Sequence, residues 1–469
     1  MTPRKQKTLC QPPSAEPRQA IHSHAAGIDI HLKEHWVAVP PESVPTSSAG
    51  PAAKSPTWVR KFGTCTADLE ALADWLAACG VDTIAMESTG IYWVPLFELL
   101  ERRGFKVYLV NARQTRHAPG RPKTDVLDCQ WIQRLHSYGF LTASFRPADE
   151  VVVLRAYLRQ RQMLIEYSTH HVQHMLKALE QMNVKLREVV NDVTGLTGMA
   201  IIKAILGGQR DPIELAKLRN DRCKRTQAEI ARALYGNWRE EHLFALQQAV
   251  ALYEFYRQQW SECDQRLMKY LGTMTDHGQG KQLPKPRRQA EKARANEPRF
   301  PARTLLFRMS GVDLTVIEGI SASSALTVLS EIGRDMSKWP TVKHFISWLG
   351  LCPQTHASAG KIKKRRVRRI AGRVGRALRM AAQGCHHAKN ALGAFYRRVQ
   401  ARVGSPKAIV ATARKIGERI YRLLKYGAEY VQQGVEAYEE AYRQRLLKGL
   451  AKRATELGYE LTALTPATP

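Results

Sequence analysis

AAGIDIHLKEHWVAV, at residues 25–39, is the stretch from which the fold of the first part of the chain can be worked out. It contains two short apolar runs, 25–31 and 35–39, and a third run, TWVRKFG at 57–63, follows a loop rich in Pro and Ser at 40–56. Short runs of apolar, β-branched and aromatic residues bounded by turn residues are typical of β-strands. The stretch therefore predicts an antiparallel opening of three strands.

The chain then alternates between helical and strand-like patterns. Helices are predicted over 67–79, 92–103 and about 124–138, and the strands VDTIAME and FKVYLV lie between them. Strands followed by alternating helices and strands predict a mixed sheet with helices on its faces.

From Val151 onward, the chain contains two long runs in which apolar residues recur with a heptad-like spacing. The apolar residues of the first run extend from Leu154 to Leu186, and those of the second run from Leu243 to Tyr270. Matching periods predict that two long helices pair as a coiled-coil arm. Periodicity alone does not identify the partner helix, so an intrachain helical bundle and an oligomerising arm both stay open.

The rest of the chain divides by composition. Residues 1–24 are basic and proline-bearing and are expected to be disordered, and 281–303 carry four prolines and eight Lys or Arg, as expected of a basic linker. VIEGISASSALTVLSEIG reads as helix, turn and helix, with Gly319 at the turn and Gly333 as the stop. A charged amphipathic helix, or a pair of them, is predicted over 408–450.

The composition points to a polyanionic partner. The 469 residues contain 72 Lys and Arg against 42 Asp and Glu, a formal net charge of +30 at pH 7. Such a surplus is costly unless a polyanion offsets it, so nucleic acid is the first candidate partner. The eight cysteines show no paired CxxC spacing, and the sequence shows neither a secretory leader nor a membrane-spanning run. We expect reduced thiols, no membrane contact and a cytosolic protein.

Four acids form a candidate metal site. Asp29 lies in the first predicted strand, Glu87 ends a buried-type strand, and Asp125 and Asp128 are spaced to share one face of a helix. Carboxylates in this setting can hold two Mg²⁺ ions against a phosphodiester. Arg121 and Lys123 are candidate phosphate-binding residues beside them. Each acid could equally be a solvated surface charge, and the pattern alone leaves both interpretations open.

A resemblance adds weight to the metal interpretation. The segment ESTGIYWVPLFELLERRGFKVYLVNARQTRHAPGRPKTDVLDCQWIQRL, with GIDIHLKEHWVAV before it, resembles the DEDD-type transposases of bacterial insertion sequences known as the insertion-sequence one-ten family. The resemblance implies an RNase-H/RuvC-like domain, and it places the family's four catalytic, metal-binding acids on Asp29, Glu87, Asp125 and Asp128.

A basic segment near the C-terminus contains a candidate nucleophile. Ser358 precedes Lys361 to Arg379, where ten of nineteen residues are basic and none is acidic. Interleaved glycines and apolar residues favour a folded nucleic-acid surface over a solvated arm. The residues expected to contact nucleic acid are Lys361, Lys363, Lys364, Arg365, Arg366, Arg368 and Arg369. Sequence physics alone favours a structural role for Ser358, since most loop serines cap a helix or bond to the backbone. The resemblance instead implies a nucleophile at the Ser-x-Gly-Lys position, which is Ser358 here.

The resemblance also implies a function. We expect a transposase or recombinase that acts on element ends and target DNA through a phosphoserine link, assisted by Mg²⁺ in a composite site. A homo-oligomer, dimer or tetramer, and a structured guide RNA are the further partners it implies. The rival interpretations are a Holliday-junction-resolvase-like metal-dependent nuclease that cuts with water, and an architectural protein whose acids are structural.

The expected fold class is α/β plus α. It comprises a disordered tail at 1–24, an RNase-H/RuvC-like DEDD domain at 25–148, a helical coiled-coil region at 149–280, a basic linker at 281–303, an all-α serine transposase domain with a helix-hairpin-helix-like element at 304–405, and C-terminal amphipathic helices and tail at 406–469.

Overall fold

The chain divides into two compact units, 1–146 and 147–469. The computed structural model describes residues 20–45, 57–115, 124–286, 296–358, 361–367 and 372–462. Most of the predicted tail, of the 40–56 loop and of the middle of the predicted linker lies outside the described residues.

The first unit is built on a five-stranded mixed sheet. Its elements are β1 (Ala25–Ile30), β2 (His35–Ala38), β3 (Val59–Phe62), α1 (Thr66–Ala78), β4 (Thr83–Glu87), α2 (Trp93–Arg102), β5 (Lys106–Val110) and α3 (Asp125–Ser137). The strand order is β3-β2-β1-β4-β5. The pairs β1–β2 and β2–β3 are antiparallel, whereas β1–β4 and β4–β5 are parallel. The predicted antiparallel opening and mixed sheet are confirmed, and this architecture is consistent with an RNase-H-like domain.

The two faces of the sheet are covered by different helices. Ile28 and Met86 face a core that also contains residues of α1 and α2. Successive side chains of a strand point to opposite faces, so Ala85 packs instead with Ile132 of α3. The backbone of Gly27 lies close against α3. Odd-numbered residues of β1 and β4 therefore face α3.

The second unit begins with a long antiparallel helix pair. Helix α4 (Asp149–Gln181) and a second long helix (Glu240–Thr273) contact each other along their length. The ring of Tyr157 meets that of Tyr270, and Tyr167 meets Tyr256, so the helices run in opposite directions. The predicted pairing is thus observed within one chain.

The first heptad-like run is longer than its helix. Helix α4 ends at Gln181, and Asn183 has a positive φ of 58°. Asn tolerates this left-handed conformation and commonly ends helices there. The prediction that the helix continues to Leu186 is therefore wrong.

Four short helices lie between the two long ones in the sequence. They are α5 (Leu186–Val189), α6 (Leu196–Leu206), α7 (Pro212–Lys217) and α8 (Gln227–Ala233), and the second long helix is α9. They form one core with the end of α4 and the start of α9. Midway along the pair, Arg161 donates to both carboxylate oxygens of Asp264 at 2.6 and 3.2 Å, and both side chains are buried. This ion pair fixes the register of α4 on α9.

The C-terminal part contains strands as well as helices. Its elements are α10 (Ala302–Ser310), α11 (Ala322–Ile332), α12 (Val342–Trp348), β6 (Pro353–Ser358), β7 (Lys361–Val367), α13 (Arg373–Gly384), α14 (Ala391–Val403), α15 (Ser405–Tyr426) and α16 (Ala428–Glu456). The antiparallel hairpin β6–β7 corrects the prediction of an all-α domain. Lys and Arg are uncommon in strands, so the basic run in β7 does not indicate the strand that forms there by backbone pairing.

The predicted helical hairpin is observed only in part. Gly319 has a φ of 83° and Gly333 a φ of 70°, as a turn and a helix stop require. The segment before Gly319 is one 3₁₀ turn, Leu314–Val316, begun by the Asp313 side chain, and not the predicted helix. Ile317 then adopts an extended conformation that ends the turn.

Helix α15 packs against α12, α13 and α14, and α15 and α16 are the predicted pair of charged helices. The seven cysteines in the described ranges carry free thiols. Among the helices described, none has the length and apolarity needed to cross a membrane.

Candidate active site

Asp29 and Glu87 lie at the same edge of the sheet. The parallel ladder pairs Ile28 with Met86, and Asp29 and Glu87 are the next residues of β1 and β4. Both are odd-numbered positions, so both face α3. The carboxyl ends of neighbouring parallel strands thus bring together two acids that are far apart in the sequence.

Asp125 and Asp128 lie in the first turn of α3. Thr124 begins this helix, and its side-chain oxygen accepts a hydrogen bond from the backbone N–H of Leu127 at 3.3 Å. Acids are favourable in a first helical turn because they complement the helix dipole. The close packing of α3 on β1 then places this turn beside Asp29.

His31, which is not among the residues predicted from the sequence, joins the cluster. Its Nε2 lies 3.1 Å from Oδ2 of Asp29 and 3.4 Å from Oδ1 of Asp125. Ligand atoms of these three residues all lie within 4.8 Å of one another. The signal that could have found His31 is its spacing, since it is two residues from Asp29 and an extended chain places such residues on one face.

Burial and neighbouring charges shift the pKa values of groups in the cluster. Burial raises the pKa of the Asp29 carboxyl, the neighbouring His31 opposes that rise, and the Asp128 and Glu87 carboxylates add to it. Burial, with the nearby Asp29 carboxylate, also raises the pKa of the Cys129 thiol to about 12. Several negative charges therefore share a partly dehydrated site, which a cation would stabilise.

Glu87 is held by a second residue that the sequence did not indicate. The hydroxyl of Thr115, a buried residue, donates to Oε2 of Glu87 at 2.7 Å. The indole N–H of Trp131 in α3 donates to the backbone carbonyl of Thr115 at 3.0 Å. Glu87 is thereby tied to the segment after β5 and to α3.

The residues present fit a divalent metal ion. Carboxylate oxygens from a strand and a helix converge with the His31 imidazole, and burial, with the Asp128 and Glu87 carboxylates, raises the pKa of Asp29. Hard divalent cations bind such oxygen sets.

The structure describes Ser358 and some of the predicted nucleic-acid-binding residues, whereas others lie outside the described ranges. Ser358 is the last residue of β6, is exposed, and pairs in register with Lys361. The basic residues from Lys361 to Arg366 belong to β7. Arg121, Lys123, Arg368 and Arg369 lie outside the described residues.

Two family models match this chain. A model of DEDD transposases of the IS110 family, described as a transposase, matches residues 26–184, and one described as the transposase IS116/IS110/IS902 family matches residues 313–397. A search of curated proteins finds no match. The first match contains Asp29, Glu87, Asp125 and Asp128, the second contains Ser358, and together they span just over half of the chain. The chain therefore belongs to the IS110 family of DEDD transposases and is an enzyme that acts as a DNA transposase or recombinase of an insertion sequence.

Proposed function

We propose that this transposase cuts and rejoins DNA through a covalent link to Ser358, with Mg²⁺ held by Asp29, Glu87, Asp125 and Asp128. The observation that carries the proposal is the meeting of Asp29 and Asp125 around His31, with Glu87 and Asp128 close enough to raise the pKa of Asp29. Acids from two strands and one helix converge at the sheet edge. Convergence of this kind is what a metal-dependent phosphoryl-transfer site needs.

The acids have separate tasks in this proposal. Asp29 is largely buried, so it is proposed to anchor the metal from the sheet, whereas Asp125 is half-exposed and can face the DNA. Thr115 orients the carboxylate of Glu87. A bound divalent ion would supply positive charge to the phosphate oxygens as charge develops on them.

Ser358 is proposed as the nucleophile. Its exposed position at the end of β6 is open to a DNA strand, and the basic β7 strand pairs with β6 along the hairpin. In the proposed step a bond forms between Oγ and phosphorus, and the bond from phosphorus to one DNA oxygen breaks. The hydroxyl proton passes to a base in solution, and the departing DNA oxygen takes up a proton. The phosphodiester count is unchanged, so the strand can be rejoined without an external energy source.

The partners follow from this chemistry. Strand exchange handles several DNA ends, which favours a homo-oligomeric dimer or tetramer, and the antiparallel pair α4–α9 is the proposed coiled-coil contact. A net charge of +30 suits simultaneous binding of DNA and of a structured guide RNA. The place of action is then the bacterial nucleoid in the cytoplasm. The domain bounds given above, including a serine transposase domain at 304–405, are part of the proposal.

A second candidate is a resolvase-like nuclease that cuts with water. The observation that favours it is the carboxylate cluster itself, because all four acids belong to the first unit and Ser358 belongs to the second. Such an enzyme would leave free DNA ends and form no protein–DNA link.

The two candidates are separated by the Ser358→Ala variant. Labelled DNA carrying the element ends, with its guide RNA where the flanking region encodes one, is incubated with protein and run on a denaturing gel. We expect a covalent band with the native protein and none with Ser358→Ala, while DNA binding persists. Ser347→Ala, an exposed serine of α12, is the matched control and should keep the band. Free cleavage by Ser358→Ala would favour the nuclease, and a persisting covalent band would place the nucleophile elsewhere.

A further inference from the structure

The imidazole of His31 lies between two of the proposed metal-binding carboxylates. We propose that His31 is a direct ligand of the divalent ion, so that the site has a mixed nitrogen and oxygen donor set and binds transition-metal ions such as Mn²⁺ in preference to Mg²⁺. The inference rests on the proposed function in that it uses the same carboxylates, and it adds the metal specificity of the site.

The spacing of the donor atoms supports direct coordination. Metal–ligand bonds of about 2.1 Å place neighbouring ligands of an octahedral ion about 3 Å apart. Nε2 of His31 lies 3.1 Å from the Asp29 oxygen and 3.4 Å from the Asp125 oxygen. All three ligand atoms can therefore share one ion with small adjustments.

The local chain holds His31 in this place. The backbone N–H of His31 donates to the carbonyl of Glu34 at 3.2 Å, which closes a turn directly after β1. The indole of Trp36 in β2 donates to the Glu34 carboxylate at 3.0 Å. Since this turn is anchored to β2, the imidazole is presented at the sheet edge. Its side chain is 42% exposed, so a metal ion can reach it from solution.

The donor chemistry predicts the specificity. Mg²⁺ strongly prefers oxygen ligands, whereas imidazole suits first-row transition metals. A site of carboxylates alone would discriminate weakly between Mn²⁺ and Mg²⁺. An added imidazole should strengthen Mn²⁺ binding much more than Mg²⁺ binding.

A different role for His31 makes the opposite prediction. If the imidazole only donates hydrogen bonds to Asp29 and Asp125, it occupies the position of the ion and must leave when the ion binds. Removal of the imidazole would then leave metal affinity unchanged or increase it.

The test is metal titration of the full-length protein by calorimetry, with MnCl₂ and MgCl₂ in turn. His31→Gln should weaken Mn²⁺ binding about tenfold or more, and Mg²⁺ binding much less. Electron spin echo spectra of the Mn²⁺ complex should show coupling to an imidazole nitrogen, which His31→Gln removes. His24→Gln, an exposed histidine just before β1, is the matched control and should change neither.

A third variant separates the two possible failures. If Asp125→Asn weakens binding of both ions while His31→Gln leaves Mn²⁺ affinity and the nitrogen coupling intact, the carboxylate site stands and the inference about His31 is wrong. If neither variant alters metal binding, the proposed metal site itself is wrong.

Discussion

Gly27 of β1 lies directly against Gln133 of α3. A Cβ atom on Gly27 would lie 2.2 Å from the backbone nitrogen of Gln133 and 2.6 Å from the carbonyl oxygen of Cys129. Only a residue without a side chain permits this approach, because real Cβ atoms do not come so near to backbone atoms. The contact seats α3 on the sheet, and the first turn of α3 carries Asp125 and Asp128. The distance between strand and helix at Gly27 thus sets the distance between the carboxylates.

Replacement of Gly27 by Ala should therefore damage both the fold of the first unit and the site. The added methyl group forces α3 away from β1, and overpacking of this kind costs about 1–3 kcal/mol of unfolding free energy. We expect a lower melting temperature and weaker Mn²⁺ binding. The control is Gly272→Ala in α9, where a Cβ meets no atom within 4 Å and Ala favours the helix. Wild-type metal affinity in Gly27→Ala would show that α3 can shift without altering the site.

Loss of a single acid should remove catalysis and spare the fold. Asp29→Ala and Asp125→Ala should abolish DNA strand transfer, since each removes a ligand atom of the proposed site. The circular dichroism should stay unchanged, because the loss of the Asp29 carboxylate also removes the cost of its burial, and Asp125 is half-exposed. Asp74→Ala is the control, as Asp74 of α1 makes an exposed ion pair with Arg103. If either site variant keeps both its fold and its strand-transfer activity, the replaced acid does not belong to the catalytic site.

Binding to nucleic acid should depend on the basic strand β7. The change of Lys363, Lys364, Arg365 and Arg366 to Gln should flatten the plot of log affinity against log salt concentration, because each duplex phosphate neutralised contributes a slope of about −0.9. Fluorescence anisotropy of labelled duplex at several salt concentrations measures this slope. The control replaces four exposed basic residues of α16, Arg443, Lys448, Lys452 and Arg453, by Gln. An unchanged slope in the β7 variant would mean that this strand does not contact the phosphates.

Stability of the first unit should fall in mild acid because of His136. Burial lowers the pKa of His136 from 6.5 to about 4, and the nearby charges of His22 and Lys106 add to this effect. Its Nε2 lies 2.9 Å from the hydroxyl of Thr83, and its ring contacts Tyr108. The folded state keeps the imidazole neutral, while the unfolded chain takes up a proton below its ordinary pKa. The contribution of His136 is therefore complete above about pH 6.5 and is lost as the pH falls toward 4.

Urea unfolding at pH 7.5 and at pH 5 measures this loss. His136→Gln should reduce the difference between the two conditions, because Gln can still bond to Thr83 and does not titrate. His24→Gln should leave the difference as it is in the native protein, since His24 is exposed. If His136→Gln loses as much stability between pH 7.5 and pH 5 as the native protein does, another group causes the acid sensitivity.

The sequence alone determined the secondary structure of the first unit and indicated the four acids of its proposed metal site. Strands β1 to β5 and helices α1 to α3 lie within one or two residues of their predicted bounds, because local periodicity and turn residues carry this information. The heptad-like runs likewise predicted two paired helices. They could not name the partner, and the structure supplies it in the buried pair of Arg161 and Asp264, which are 103 residues apart.

The tertiary structure decided how distant residues meet. His31 and Thr115 lie within the segments that carry the resemblance but are not among its four acids, and their contacts arise only when the sheet edge, the segment after β5 and the start of α3 come together. The hairpin whose first strand ends at Ser358 was missed because backbone pairing outweighs the low strand propensity of its Lys and Arg residues. The local sequence pattern indicates which face of a helix or strand is apolar. The distance between two side chains far apart in the chain depends on how closely those faces pack, and here that distance depends on the missing side chain of Gly27.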